Sequence, residues 1–350
     1  LELEVGLTAG RDSRVLLAAS SSQGLRPQCF TAVHPDGYHH RSRDAAIGRE
    51  LAEIVEAPYH VLDLARCGEY YARPATLLTE VAERTDGTMS FEYSRFTRQD
   101  RWDRREIIIG GSGGELARSH YGLADDRSRT AAADSLLQRV IHGSPTPLTA
   151  HGHELIGDHV RGLVGQWADE GLALRLVNDR WYRHHDQRWT ATIHGWANGF
   201  TRTVSPYLAA RLLPDLVGAS DADRAAERFH RAVVSYLAPQ LLNVRFFQGG
   251  WQWWLPNGVD IQRPSPRSTL ATKVAGEARR RLSGWAWIRP VAASARRVGQ
   301  ALDSPGAPMW NVIDRAAMQR WVRVPLPMVS PAGERFLHRV GTVAVAGAGS

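Results

Sequence analysis

Two short stretches hold the residues with the clearest chemical use. In Val5-Gly6-Leu7-Thr8-Ala9-Gly10-Arg11-Asp12-Ser13-Arg14, an alternating run passes through a turn of small residues straight into a helix start. N–H groups at such a turn and in the first helical turn lack partners within the helix and make a seat for phosphate. Ala9 and Gly10 are small enough to let a phosphate reach the backbone, and the Thr8 and Ser13 hydroxyls add donors. Asp12 next to a phosphate asks for a cation between them, and magnesium takes carboxylate and phosphate oxygens together. The plainer alternative is a strand–turn–helix in which Asp12 only caps the helix. In the second stretch, Ile107-Ile108-Ile109-Gly110-Gly111-Ser112-Gly113-Gly114-Glu115, a strand again runs into glycines. A backbone hinge is its plainer reading.

The remaining candidates are weaker. His39-His40, His151 with His153, and His184-His185 have no cysteine partners or second histidine at ligand spacing, so no zinc site is expected. Trp251, Trp253 and Trp254 either stack a ligand or belong to a core. Arg279-Arg280-Arg281 with Trp285 and Trp287 reads as a solvated helix face rather than a membrane or nucleic-acid stripe.

The elements that must position the two turns follow from pattern. Strand-like runs at 1–7, 28–33, 59–64 and 106–109 alternate with helix-like runs at 12–22, 44–55 and about 69–84. That alternation predicts an α/β fold, a parallel sheet with right-handed crossovers and helices on both faces. Beyond residue 130 the runs at 131–142, 153–171, 221–236 and 269–282 predict a mostly helical C-terminal half. The expected division is an α/β nucleotide-binding domain over 1–142, a helical substrate-side region over 143–300 and a weakly patterned extension over 301–350. The Gly/Pro-containing stretch 143–147 is the expected seam.

Composition narrows the function classes. With 350 residues, 43% hydrophobic and 23% charged, the chain can build a sizeable core. The net charge is +7, yet Lys273 is the only lysine among 43 basic residues. An arginine skew beside abundant alanine and glycine reads as compositional bias, so a nucleic-acid partner is not expected. Cys29 and Cys67 alone make no disulfide framework, which suits a reducing, cytoplasmic setting. No apolar run approaches the roughly 20 residues of a membrane span, and the opening residues are not expected to be a signal peptide. Leu1 falls inside a strand pattern, so the sequence is expected to be a piece of a longer protein.

The first turn resembles the Ser-Gly-Gly-x-Asp-Ser pyrophosphate loop of the PP-loop ATP pyrophosphatases, with Thr8 and Ala9 replacing the first Ser and Gly. It lacks the Gly-Lys-Ser/Thr ending of a Walker loop. The second turn resembles the second signature of asparagine synthetases, a strand entering Gly-x-Gly-x-Asp-Glu with a tyrosine six residues past the Asp. Glu115 takes the place of that Asp, Leu116 of the Glu, and Tyr121 of the tyrosine. Residues 40–64 resemble the family's following helix and strand, and Asp86-Gly87-Thr88-Met89 falls where family members have substrate-pocket residues. Arg202-Thr203-Val204-Ser205-Pro206-Tyr207-Leu208 resembles the family's Glu-x-Arg-x-Pro-Phe-Leu segment. Arg202 and Val204 replace the acidic residue and the arginine there, which argues against aspartate as substrate.

The resemblance implies a fold of the PP-loop (HUP) type that binds ATP and magnesium. Thr8, Ala9, Gly10, Arg11, Asp12, Ser13, Gly111, Ser112 and Gly113 would bind the nucleotide, and Thr31, Ala32 and Val33 would line the adenine. Asp12 and Glu115 would hold magnesium. Lys273 matches a late family lysine that stabilises charge at the acyl-adenylate step, although it could instead pair with Glu277. The implied reaction adenylates a small-molecule or peptide carboxylate, releases pyrophosphate and passes the acyl group to ammonia or an amine. Ammonia would come from a glutaminase domain or partner outside this sequence. Lasso-peptide cyclases and β-lactam synthetases use the scaffold without a working glutaminase. Two alternatives stay open: a degenerate, non-catalytic homologue, and a PP-loop enzyme modifying transfer RNA.

Overall fold

A computed structural model of the chain describes residues 2–33, 39–64, 70, 72–85, 89, 94, 106–118, 122, 124–142, 148–199, 201–246, 288–304, 306–324 and 331–346. In chain order the elements are β1 (Glu2–Gly6), α1 (Arg11–Ser22), β2 (Gln28–Val33), α2 (His39–Ile54), β3 (Tyr59–Asp63), α3 (Pro74–Thr85) and β4 (Glu106–Ile109). There follow α4 (Arg129–His142), α5 (Ala150–Asp169), α6 (Val177–Trp181), α7 (Gln187–Ala197), β5 (Arg202–Val204), α8 (Leu213–Gly218), α9 (Asp221–Ala225) and α10 (Arg228–Leu237). The last are α11 (Ile288–Leu302), α12 (Arg315–Arg323) and α13 (Pro331–Ala346). No described helix is long and apolar enough to cross a membrane.

The described strands form one five-stranded sheet in the order β3-β2-β1-β4-β5. Every pairing in it is parallel. The α/β architecture and the mostly helical later part of the chain are therefore as the alternating pattern predicts. The fifth strand is not. Residues 202–208, expected in the helical region, form β5 and a 3-10 turn at Pro206–Leu208. A strand of three residues is too short to show a period-2 pattern. The run at 221–236 is also broken, because Glu227 adopts the left-handed conformation (φ 53°) between α9 and α10.

The chain divides into two compact units, and the division is interleaved rather than the continuous 1–142, 143–300 and 301–350. One unit comprises 1–67, 96–120 and 197–284 and contains the sheet. Within it α1 packs on α10, and α2 packs on β2 and β3. Phe30, Leu62, Leu64 and Ile108 form one buried cluster on the sheet.

The other unit comprises 68–95, 121–196 and 285–350 and is helical in its described part. There α3, α11 and α13 pack together, and Val291, Val298, Trp310, Met318 and Leu337 belong to one core cluster. A second cluster, including Leu136, Val160, Trp167 and Trp181, joins α4, α5 and α6. His338 is fully buried in this unit. Its Nε2 meets the Tyr70 hydroxyl at 3.1 Å and its Nδ1 meets Ser294 Oγ at 2.8 Å.

Candidate functional site

Both glycine-rich turns leave the carboxyl ends of neighbouring strands, β1 and β4, where the strand order reverses direction. In open parallel sheets that switch point is where ligands bind, because the two flanking loops diverge and leave a crevice. The chain brings the turns into contact there. A Cβ on Gly111 would sit 3.1 Å from the Asp12 Cβ, and one on Gly114 would run into the Asp12 carboxylate. Gly113 has φ +86°, a conformation that costs glycine nothing, and its open side faces Leu208. The glycines thus let the second turn lie against the start of α1.

The first turn satisfies most of its own backbone. Thr8 N–H donates to Ser13 Oγ, Ala9 N–H to Asp44 Oδ1 and Gly10 N–H to Thr8 Oγ1, each at 3.1 Å. The Ser13 hydroxyl returns a hydrogen bond to the Thr8 carbonyl at 3.2 Å. The N–H groups of Thr8, Ala9 and Gly10, expected to face outward, are therefore met by oxygens of the chain itself. Ser13 reaches back from the first turn of α1, and Asp44 arrives from α2. Gly10 occupies the N-cap of α1 without a side-chain cap, so the positive end of that helix is not masked by a capping oxygen.

Asp12 is the hub of the site. Its Oδ1 accepts from His230 Nε2 at 2.7 Å and its Oδ2 from Arg118 Nη2 at 3.2 Å. Its carbonyl accepts from the Tyr207 hydroxyl at 2.8 Å. Burial opposes the charged form of Asp12, but the hydrogen bond and charge of His230, then Arg118 and Arg11, outweigh it and hold the carboxyl below its ordinary value. Arg11 forms an ion pair with Glu227, whose other oxygen lies 4.0 Å from Arg118 Nη1. Behind them the buried Arg14 donates to the carbonyls of Leu241 (3.0 Å), Val244 (2.8 Å) and Arg245 (3.2 Å). The Phe246 ring lies under both Arg14 and Arg11. Burial first and Arg11 second lower the Arg14 pKa, yet a guanidinium stays charged at neutral pH.

One segment pins the turns together. Gly110 N–H donates to the Val204 carbonyl at 2.9 Å, and the Ser205 hydroxyl donates to the Ser112 carbonyl. Arg224 Nε donates to the Leu116 carbonyl at 3.3 Å. Tyr207 is buried, and burial, then Asp12 and Glu115, raise its pKa, so both carboxylates act on one hydroxyl. Glu115 itself lies in the 3-10 turn Gly114–Ala117. His230 and Arg118 each occupy one lone pair of the Asp12 carboxylate, so magnesium shared by Asp12 and Glu115, as the resemblance implies, would bind beside them. Among the described residues no group of three or more His, Cys, Asp or Glu gathers that could hold a metal.

Val33 ends β2 opposite Asp63 of β3. The Thr31 hydroxyl, expected near the adenine, donates to the Leu7 carbonyl at 2.5 Å and accepts from Tyr59 at 2.8 Å. Lys273, Tyr121, Asp86-Gly87-Thr88, Trp251, Trp253, Trp254, Trp285, Trp287 and residues 279–281 lie outside the described residues. The sequence reading missed Arg118, Glu227 and His230 as site residues. Arg118 lies three positions beyond Glu115, which was a usable signal. The other two meet the site from more than 200 positions away, as the 218-residue separation of His230 from Asp12 shows. No protein-family model matches the chain, and no curated protein sequence matches it.

Proposed function

We propose that the crevice between the two turns binds ATP and that the chain is an asparagine synthetase-like ligase on a PP-loop (HUP) type scaffold with helices on both faces of its sheet. What supports this reading is the meeting of three separate segments at Asp12. These are the turn at 8–13, the turn at 110–114 and Pro206-Tyr207-Leu208, which carry the resemblance independently. In the reaction a substrate carboxylate oxygen bonds to the α-phosphorus as the bond to the bridging oxygen breaks and pyrophosphate leaves. Ammonia or a substrate amine then attacks the acyl carbon, loses a proton and expels AMP. Arg11 and Arg118, beside the positive end of α1, are the groups that would meet the departing pyrophosphate. The carboxylate is a small molecule or peptide, and the setting is cytoplasmic.

A second reading, a non-catalytic homologue that keeps the fold, is favoured by one observation: the N–H groups of Thr8, Ala9 and Gly10 already have partners. Calorimetric titration of ATP into the whole chain, with inorganic pyrophosphate as competitor, tests the site. A screen of carboxylates and amines for pyrophosphate release tests the reaction. Displaceable ATP binding with release of pyrophosphate is the expected result. Binding without release in any mixture favours the second reading, and no binding at millimolar ATP removes the nucleotide site.

A further inference from the structure

His230 is a buried imidazole with a single hydrogen bond. It has 0% of its surface exposed, its Nε2 meets Asp12 Oδ1 at 2.7 Å, and its Nδ1 has no hydrogen-bond partner among the described residues. A buried polar atom without a partner costs stability. The ring is nonetheless held firmly. The Tyr207 and Phe229 rings lie 6.1 Å and 5.6 Å from it. It stands in the first turn of α10, three positions after Glu227. Glu227 is buried, adopts the left-handed conformation and is ion-paired to Arg11. A charged residue in that conformation persists only where its surroundings fix it.

What the ring holds in turn is the Asp12 carboxylate. An aspartate carboxyl group has little torsional preference of its own about its last bond. Two donors from separate segments stop that rotation here, His230 on Oδ1 and Arg118 on Oδ2 at 3.2 Å. Gly114 of the second turn comes so close to the same carboxylate that a Cβ there would collide with it. An ionised carboxylate has about four lone-pair sites, so each oxygen keeps one open, in a direction that the donors set. Magnesium on a nucleotide takes one or two carboxylates together with phosphate oxygens and water, and a carboxylate fixed in this way suits it. The two donors differ in access. Arg118 keeps 22% of its side chain exposed and can meet a ligand itself, whereas His230 is sealed from the crevice.

We infer, on the premise of the ATP reading above, that His230 is a positioning residue: acting only through Asp12, it aims the open lone pairs of that carboxylate at the cation carried with the nucleotide. Nucleotide without metal has no use for that orientation and is indifferent to the ring.

Calorimetric titration of ATP into the whole chain, once in excess magnesium and once in excess EDTA, tests this. Wild type is expected to bind at least about tenfold more tightly with magnesium. His230→Phe keeps the ring packing and loses the donor. It should weaken binding about tenfold in magnesium and leave the affinity in EDTA within about threefold of wild type. His230→Gln, whose amide can replace the imidazole N–H, should bring the magnesium value back to within about threefold. A merely structural histidine would weaken binding in both buffers alike. Added to Asp12→Asn, which has no magnesium preference left, His230→Phe should change neither affinity, because it acts through the residue already altered. Equal wild-type affinities in the two buffers, an unaffected His230→Phe, or an equal loss in both buffers each overturns the positioning role and leaves ATP binding standing. No binding in either buffer removes the ATP reading and the positioning role together. Circular dichroism checks that each variant is folded. Should His230→Phe unfold, His230→Asn, whose shorter side chain leaves Oδ1 without its donor, takes its place under the same criteria.

Discussion

Two histidines, His230 in the sheet-containing unit and His338 in the helical unit, are fully buried among the described residues. Their surroundings differ in kind. His338 has a hydroxyl on each ring nitrogen, Tyr70 on one and Ser294 on the other, so both of its polar atoms have a partner. That is how a core accommodates a polar side chain at little cost. His230 has a carboxylate on Nε2 and no hydrogen-bond partner on Nδ1 among the described residues. It adjoins a group of charges made by Asp12, Arg118, Arg11 and Glu227. A core has no use for so many charges, since replacing a buried ion pair by well-packed apolar residues is often neutral or stabilising. Charges concentrated at a sheet's switch point, with glycines opening the backbone beside them, are what the proposed nucleotide site requires.

The comparison breaks most sharply at Asp12. Asp12→Ala leaves His230 and Arg118 buried without their carboxylate, and should cost about 3–5 kcal/mol, the usual penalty for removing one partner of a buried pair. Urea unfolding of the variant measures it. A loss below about 1 kcal/mol would mean that the pair behaves like a surface contact and that the cluster is not formed. A cycle with His230→Gln sharpens the result: the two changes should be strongly non-additive, since both remove the same interaction.

Next comes Gly114→Ala. The added Cβ runs into the Asp12 carboxylate, so the second turn must retreat from α1 at a cost of about 1–3 kcal/mol. ATP affinity should fall along with the melting temperature. Gly162, with nothing near its Cβ position, provides the contrast: Gly162→Ala in α5 should be neutral or slightly stabilising. In the helical unit, Tyr70→Phe removes the hydroxyl that His338 Nε2 meets, for about 1–2 kcal/mol. Its ATP affinity should be that of wild type. If Tyr70→Phe weakened ATP binding as Gly114→Ala does, the contrast between the two histidines would lose its functional meaning.

The sequence made some of this legible and hid the rest for physical reasons. Turns such as 8–13 and 110–114 are local, and their small residues between a strand and a helix announce them directly. The strands at 28–33, 59–64 and 106–109 were readable for the same reason: periodicity lies within the segment. The partners of Asp12 were not, because Arg118 and His230 lie 106 and 218 positions away and no local pattern encodes such a pairing. The capture of Ala9 N–H by Asp44 is hidden in the same way across 35 positions. Glu227 gave no sign of a left-handed break, since glycine or asparagine would normally mark one. The interleaved division was invisible because neither unit is continuous in sequence.

The smallest loss expected at the site itself is at Tyr207, and its sign with pH is informative. The hydroxyl donates to the Asp12 carbonyl, so Tyr207→Phe should cost about 1 kcal/mol at neutral pH. Burial first, then the charges of Asp12 and Glu115, raise its pKa above the ordinary 10.0, so the folded protein holds this proton more tightly than the unfolded chain does. Stability from such a group is fully present below about pH 10 and is lost as the pH climbs through the folded value. Wild type should therefore lose stability between about pH 10 and 11 relative to Tyr207→Phe, which has no proton to lose. Chemical denaturation of both proteins across that range reads the gap directly. A gap that closes or reverses means that the folded protein holds the Tyr207 proton, as burial first and then Asp12 and Glu115 demand. A constant gap would mean that the hydroxyl is not buried against the Asp12 carbonyl and that this tie between the first turn and the 206–208 segment is not formed.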